Sequence, residues 1–355
     1  MKRRDDHHDY SERRMYMITL ETAGRRPIFG RLVGSAFAPA GSADEPRIEL
    51  SALGKAVERE WMGISNYYPQ IEVKAVQMMP DHMHGILFVK SRLPVHLGQV
   101  ISGFKAGCRK AQRALLEAAF QGAAAEPQPT EKPQPTEKGE GLGAAAFKGA
   151  AAEPQPAEKP QQSVAQGAAP LFAKGYNDLI LRSYDELSVW QNYLRDNPRR
   201  LMIKRARPSF LRPFFGLRIG PYTLNGIGNR SLLSAPKLLP VLLSRRLSDQ
   251  ELEGRVSIFL AEAKAGAVLV SPSISPGEKR VMRAAFDAGF PTVIIMPNGF
   301  SQMTKPHGEQ FYACASGHLL MLSAWGHSNE RINLSADMCH QMNLIAIEIC
   351  KHTKV

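Results

Sequence analysis

The stretch AVQMMPDHMHGILFVKS, residues 75–91, places Asp81, His82 and His84 inside an apolar run. Side chains two apart on a strand leave the same face, about 6.6–7 Å apart at the backbone. Two imidazoles at that pitch can converge on one metal ion. The motif is short, and two surface histidines on a strand edge would give the same letters. A second pair lies in YDELSVWQNYLRDN, residues 184–197, where Tyr193 and Asn197 are four apart and share a helical face. Alone, that pair reads as a core tyrosine beside a helix cap. Set beside His82 and His84, it completes a set with a chemistry. Two imidazoles and a carbonyl oxygen would hold Mg²⁺ or Mn²⁺ with positions open to substrate oxygens. The ion would polarise a scissile phosphate. The tyrosine oxygen would attack phosphorus and leave a covalent phosphotyrosine.

Those side chains need a frame. MYMITLET (15–22) reads as a strand, and LSALGKAVEREWMGI (50–64) as an amphipathic helix with Leu53, Val57 and Trp61 on one side. IEVKAVQMM (71–79) is a strand, Pro80 interrupts, and HMHGILFV (82–89) is the next strand. HLGQVISGFKAGCRKAQRALLEAA (96–119) reads as a long basic helix. Pro198 is expected to end the 184–197 helix. Between the two helices, AFQGAAAEPQPTEKPQ (119–134) returns as AFKGAAAEPQPAEKPQ (146–161). A duplication of that composition has little to bury, so 121–169 is expected to be a disordered Pro/Ala-rich insertion.

Lysine and arginine exceed acidic residues by 45 to 33, a net charge of +12. Nucleic acid and acidic membrane surfaces are the usual partners of such an excess. No apolar run reaches the ~18 residues of a membrane span. The charged start, MKRRDDHHDYSERR, has no apolar core of a secretory signal. Four cysteines, 108, 314, 339 and 350, form no CxxC pair and read as reduced thiols.

The motifs carry a resemblance. MPDHMHGILF resembles the His-hydrophobic-His motif of HUH endonucleases in the form MPNHxHG, with Asp81 standing where Asn is commoner. DYSERRMYMITLETAGRRPIFGRLVG is similar to that family's first strand and its R-x-P-x-F-G continuation. GYNDLILRSYDELSVWQNYLRDNPRR resembles its tyrosine-bearing helix with a trailing NP. Together these resemble single-tyrosine transposases, most closely the REP-associated tyrosine transposase branch, over roughly 10–210. The resemblance implies a ferredoxin-like antiparallel sheet with helices on one face. It implies metal-dependent cleavage and rejoining of single-stranded DNA at hairpin-forming elements, as a monomer or homodimer. It makes His82, His84 and Asn197 metal ligands and Tyr193 the nucleophile. Gly85 would let a DNA backbone approach closely, or mark a strand bulge. Lys105, Arg109, Lys110 and Arg113, then Arg195, Arg199, Arg200, Lys204, Arg205 and Arg207, would contact DNA phosphates.

From residue 228 the pattern changes. Short buried strands at 237–244, 266–271, 291–296 and 319–324 alternate with helices at 248–264, 277–289 and 335–351. Alternation of this kind predicts a parallel sheet covered on both faces. The Ser/Pro/Gly turn in GAVLVSPSISPGEKR resembles, loosely, the Rossmann-like domains of DNA-processing protein A and of lysine-decarboxylase-like proteins. Ser244, Arg245, Gly277 and Glu278 would then bind a nucleotide phosphate at a helix start; a purely structural turn fits equally. The expected architecture is an α+β ferredoxin-like N-terminal domain (10–120 and 170–210), followed by an α/β Rossmann-like C-terminal domain (228–355). The boundary is expected in the Pro-, Gly- and Arg-rich 208–230, and the setting is cytoplasmic and nucleoid-associated. Two other functions share these features: a domesticated hairpin-binding protein without turnover, and a nucleotide sensor acting through the C-terminal domain.

Overall fold

The computed structural model describes residues 7–123 and 170–351. Nearly all of the expected 121–169 insertion lies outside them. Packing divides the chain into two compact units, Met1–Gly34 with Ala43–Pro198, and Ser35–Ser42 with Arg199–Val355.

The first unit runs β1 (Met15–Glu21), β2 (Gly30–Val33), β3 (Arg47–Leu50), α1 (Ala52–Met62), α2 (Ile64–Tyr67), β4 (Ile71–Met78), β5 (His82–Val89), α3 (Leu97–Ala123), β6 (Asn177–Leu181) and α4 (Tyr184–Ala206). Four strands form an antiparallel sheet in the order β4-β5-β1-β6, while β2 and β3 make a separate ribbon. The period of two sorts each strand. Tyr16, Ile18 and Leu20 of β1, with Met83, Leu87 and Val89 of β5, face Val57 and Trp61 of α1 and Leu97, Ile101 and Phe104 of α3. The alternate residues Met15, Ile86 and Phe88 pack with Leu181 of β6 against Leu187 and Leu194 of α4. Helices therefore cover both faces, not one, because the second face carries its own apolar patch.

Gly85 belongs to the α1 face. A Cβ there would lie 2.2 Å from the Trp61 indole, so the glycine admits the tryptophan rather than DNA. Gly85→Ala is expected to cost about 1–3 kcal/mol by overpacking. A thermal melt unchanged from the parent would remove that role.

α4 runs through Pro198 instead of ending before it. The proline forfeits the bond to the Leu194 carbonyl, a local cost of about 3 kcal/mol. Burial of Leu194 on one side and Ile203 on the other holds the turns together. The turns from Arg199 onward belong to the second unit.

In the second unit, β7 (Phe214–Ile219), β8 (Tyr222–Gly228), β9 (Leu238–Pro240), β10 (Val268–Ser271), β11 (Thr292–Ile295) and β12 (Leu319–Ser323) form a sheet of order β7-β8-β12-β11-β10-β9. Strands β9 to β12 pair parallel, and the β7–β8 hairpin adds an antiparallel edge. Val268, Val270, Leu320 and Leu322 face α8 (Ala336–Lys351). On the other face, Leu269 packs with α5 (Asp249–Lys264) and α6 (Pro276–Asp287), and Leu319 and Met321 with α7 (Gly308–Ser316). The sheet is mixed and largely parallel. The 208–230 stretch, expected to be a boundary, is instead a 3-10 turn and this hairpin: Gly216 and Gly220 sit at its bulge and turn, and Leu224 and Ile227 are fully buried. Among the described residues, no helix is long and apolar enough to cross a membrane.

Candidate functional site

His82 and His84 leave β5 on the α4 face, beside Ile86 and Phe88. Their ring centroids are 4.9 Å apart. Each ring is held through Nδ1. His82 Nδ1 lies 2.6 Å from the Asp81 carboxylate, and His84 Nδ1 lies 2.8 Å from the Thr19 hydroxyl on the paired strand β1. Neither Nε2 has a partner among the described residues. The carboxylate must accept from His82 Nδ1–H, which leaves His82 Nε2 a lone pair, while the Thr19 hydroxyl, able to donate or accept, holds the His84 ring in place. Burial, then the charges of His82 and Arg25, lower His84 to about 4, so its ring is neutral. Two imidazole nitrogens side by side make a borderline donor pair for a divalent ion. Among the described residues, no three of His, Cys, Asp and Glu form a metal-holding group.

Asp81 stands where the resembled motif more often has Asn, and here its carboxylate holds a histidine ring. Burial opposes its ionisation, yet the hydrogen bond from His82, the His82 charge and Arg25 hold its carboxyl below the usual range. Arg25 reaches it at 3.4 Å and Glu21 at 2.8 Å. It does so from a left-handed backbone position, φ 55°, which non-glycine residues seldom adopt. Arg25 opens the RRPIFG stretch, whose Phe29 amide bonds to the Pro80 carbonyl. The motif signalled Arg25 without giving it a role. Thr19 was missed, because its pairing with His84 depends on strand register.

Helix α4 brings the second pair. Tyr184 sits against Phe88 with ring centroids 6.1 Å apart, and Gln191 donates to the Lys74 carbonyl at 3.1 Å. Lys74 sits where the β4–β5 register shifts, beside the level of Ile86. The helix thus travels from the Phe88 end of β5 toward the histidine end. Tyr193 and Asn197 lie on the part of α4 beyond Gln191, in that direction. Tyr193 is 41% exposed, its ring edge-on to Trp190; Asn197 is buried.

The basic residues separate into three groups. Lys105 donates to the carbonyls of Ala173 at 2.9 Å and Gly175 at 2.6 Å, fastening a loop rather than facing outward. Arg199 likewise donates to the Ala38 carbonyl. Arg109, Lys110 and Arg195 are exposed. Arg200 and Lys204 line a hollow of the second unit.

Of the proposed nucleotide-binding residues, Glu278 and Ser244 are bonded to the backbone around them. Glu278 is buried, and its carboxylate accepts from the amides of Leu243, Ile274 and Ser275 at 2.7–3.2 Å. The Glu278 amide donates to Ser275 Oγ at 3.1 Å, closing the capping box that starts α6. Gly277 is buried against Leu243 and Leu252. Ser244 and Arg245 are exposed, and Ser244 Oγ accepts from the Arg246 amide. The Ile274, Ser275 and Glu278 amides at this helix start are engaged internally. His327 bonds to Asn329 at 3.2 Å and to the Gly299 carbonyl at 3.3 Å, tying two loops together.

No family model matches the chain. It is 25% identical over 121 residues to an uncharacterized protein of Haemophilus influenzae, covering 28% of this chain and 61% of that one. The chain therefore spans about three-fifths of that curated relative. Among solved structures it is similar to DNA processing protein A of Helicobacter pylori, studied for its single-stranded DNA binding mode (TM-score 0.29, 19% identity, 38% of this chain and 60% of that one). It is also similar to a REP-associated tyrosine transposase bound to a REP hairpin (0.27, 11%, 55% and 72%). A third is DNA processing protein A of Streptococcus pneumoniae (0.30, 18%, 45% and 60%). Scores of this size place no functional weight on the likenesses.

Proposed function

We propose that the chain is a metal-dependent single-stranded DNA nuclease and strand transferase of the single-tyrosine HUH type. The observation that carries this reading is one sheet face: two histidines pinned through Nδ1 share it with the helix that bears Tyr193 and Asn197. The strand order β4-β5-β1-β6 supports a ferredoxin-like frame for the site, and the largely parallel second sheet supports a Rossmann-like accessory unit. His82, His84 and Asn197 would hold Mg²⁺ or Mn²⁺; when bound, the ion supplies charge to polarise the scissile phosphate. Asp81 and Thr19 orient the two rings. Tyr193 oxygen forms a bond to phosphorus as the bond to the 3′-oxygen breaks. The tyrosine proton passes to solvent and the leaving 3′-oxygen takes one up, leaving a 5′-phosphotyrosine. Attack by a second 3′-hydroxyl reverses the step and rejoins strands.

The test incubates the full chain with labelled single-stranded hairpin oligonucleotides, including hairpins from the DNA flanking its own gene, and Mn²⁺. A protein-linked band on a denaturing gel is expected, and EDTA should abolish it. Salt-sensitive binding with no adduct on any hairpin would replace the nuclease with a DNA-binding role.

A further inference from the structure

We infer that the second unit carries a phosphate-binding pocket and, resting on the DNA substrate proposed above, that it takes the backbone of a single DNA strand. Arg200 and Lys204 of α4, Arg212 and Lys305 line a hollow of about 280 Å³, with Leu211 and Phe311 among its apolar walls. No carboxylate lines it. Arg200 lies with its guanidinium carbon 4.1 Å from the centroid of the buried Phe311 ring, which fixes its plane. Lys204, Arg212 and Lys305 have no ion pair or hydrogen bond among the described residues. Elsewhere in this unit Lys237, Arg280 and Arg283 are each paired with acidic groups. Burial, then the charges of Arg200 and Lys305, lower the Lys204 ammonium, as expected where cations crowd.

A planar guanidinium and point-charge ammonium groups suit a phosphate. The walls fix the ligand class further. Phe311 is buried, so it offers no face on which a base could stack. The charged lining holds the phosphate, and no exposed ring holds the base. The pocket therefore binds without base preference. Leu211 and Phe311 belong to the core that also holds Ile203 and Cys314, so the cations stand on packed elements. The pocket does not depend on the metal chemistry proposed above.

The test measures anisotropy of a labelled single-stranded oligonucleotide on the full chain, without metal, over a salt series. Lys204→Gln, Arg212→Gln and Lys305→Gln are each expected to weaken binding about three- to tenfold and to lower the salt slope by about 0.7. Their melting temperatures should hold or rise, because a like charge is removed. Pyrophosphate and ATP are added in parallel melts. A rise in melting temperature that depends on Lys305, with no change in oligonucleotide slope, would assign the pocket to free nucleotide phosphates and overturn the strand assignment. Unchanged affinity and slope in all three variants, with no response to pyrophosphate or ATP, would overturn the pocket itself. A parent that binds through the pocket yet forms no adduct would retire the nuclease and keep this inference.

Discussion

Tyr193→Phe is expected to lower covalent adduct formation by about 10³-fold or more while DNA binding and the melting temperature stay at parental values. The phenylalanine keeps the ring, and so keeps the edge contact with Trp190 at 5.3 Å. Only the oxygen is lost. At a position 41% exposed, such a change should move stability by no more than about 0.5 kcal/mol. A nucleophile has no substitute in the bond it forms, so its removal eliminates the step rather than slowing binding. Tyr184→Phe is the control. Tyr184 is more exposed, at 58%, but its ring rests on Phe88 at the far end of β5 from the histidines. Equal adduct from Tyr193→Phe and the parent would place the nucleophile elsewhere; loss in Tyr184→Phe alone would point to the other end of the helix.

The reactive letters were legible because their chemistry is local. His-x-His on a strand and Tyr-x3-Asn on a helix each fix a shared face by period alone, and the structure keeps both pairs on the elements expected. What orients them was less visible. Thr19 meets His84 only through the register of two strands 65 residues apart. Asp81 turns its carboxylate back onto the neighbouring ring, a rotamer that its flanking position does not dictate. Lys105 read as a DNA contact because charge says nothing of partners; two loop carbonyls claim it. Gly85 read as a gap for DNA because a glycine announces close approach without saying by what, and Trp61 fills that space.

The same limit holds for the frame. The central strands of the second sheet are apolar on both faces, so their composition marks them. The β7–β8 hairpin sits at the sheet's margin, and β7 is exposed on alternate residues, so Pro, Gly and Arg dominated its reading. Edge strand β6 mixes Asn177 and Asp178 with Leu and Ile and escaped for a like reason. Pro198 shows tertiary burial outweighing a local rule.

Glu278→Ala is expected to destabilise the second unit by about 3–5 kcal/mol, the range for breaking a buried charged network. The residue looked like part of a nucleotide site because it opens a helix after a Ser/Pro/Gly turn. Its carboxylate instead joins two loops. It accepts from Leu243, beyond β9, and from Ile274 and Ser275, beyond β10. Three amides would lose their acceptor at once, and each buried orphan costs about 1–3 kcal/mol where water cannot reach it. Against a domain stability of about 5–15 kcal/mol, that is a large fraction. At about 2–4 °C per kcal/mol, the transition of this unit should fall by roughly 10 °C. Glu278→Gln should recover part of the loss, since its carbonyl oxygen still accepts while its amide group opposes a backbone donor. A melt of Glu278→Ala within about 2 °C of the parent, together with lost ATP binding, would restore the nucleotide-site reading. A large drop rescued in part by glutamine would leave Glu278 as the clasp between the loops beyond β9 and β10.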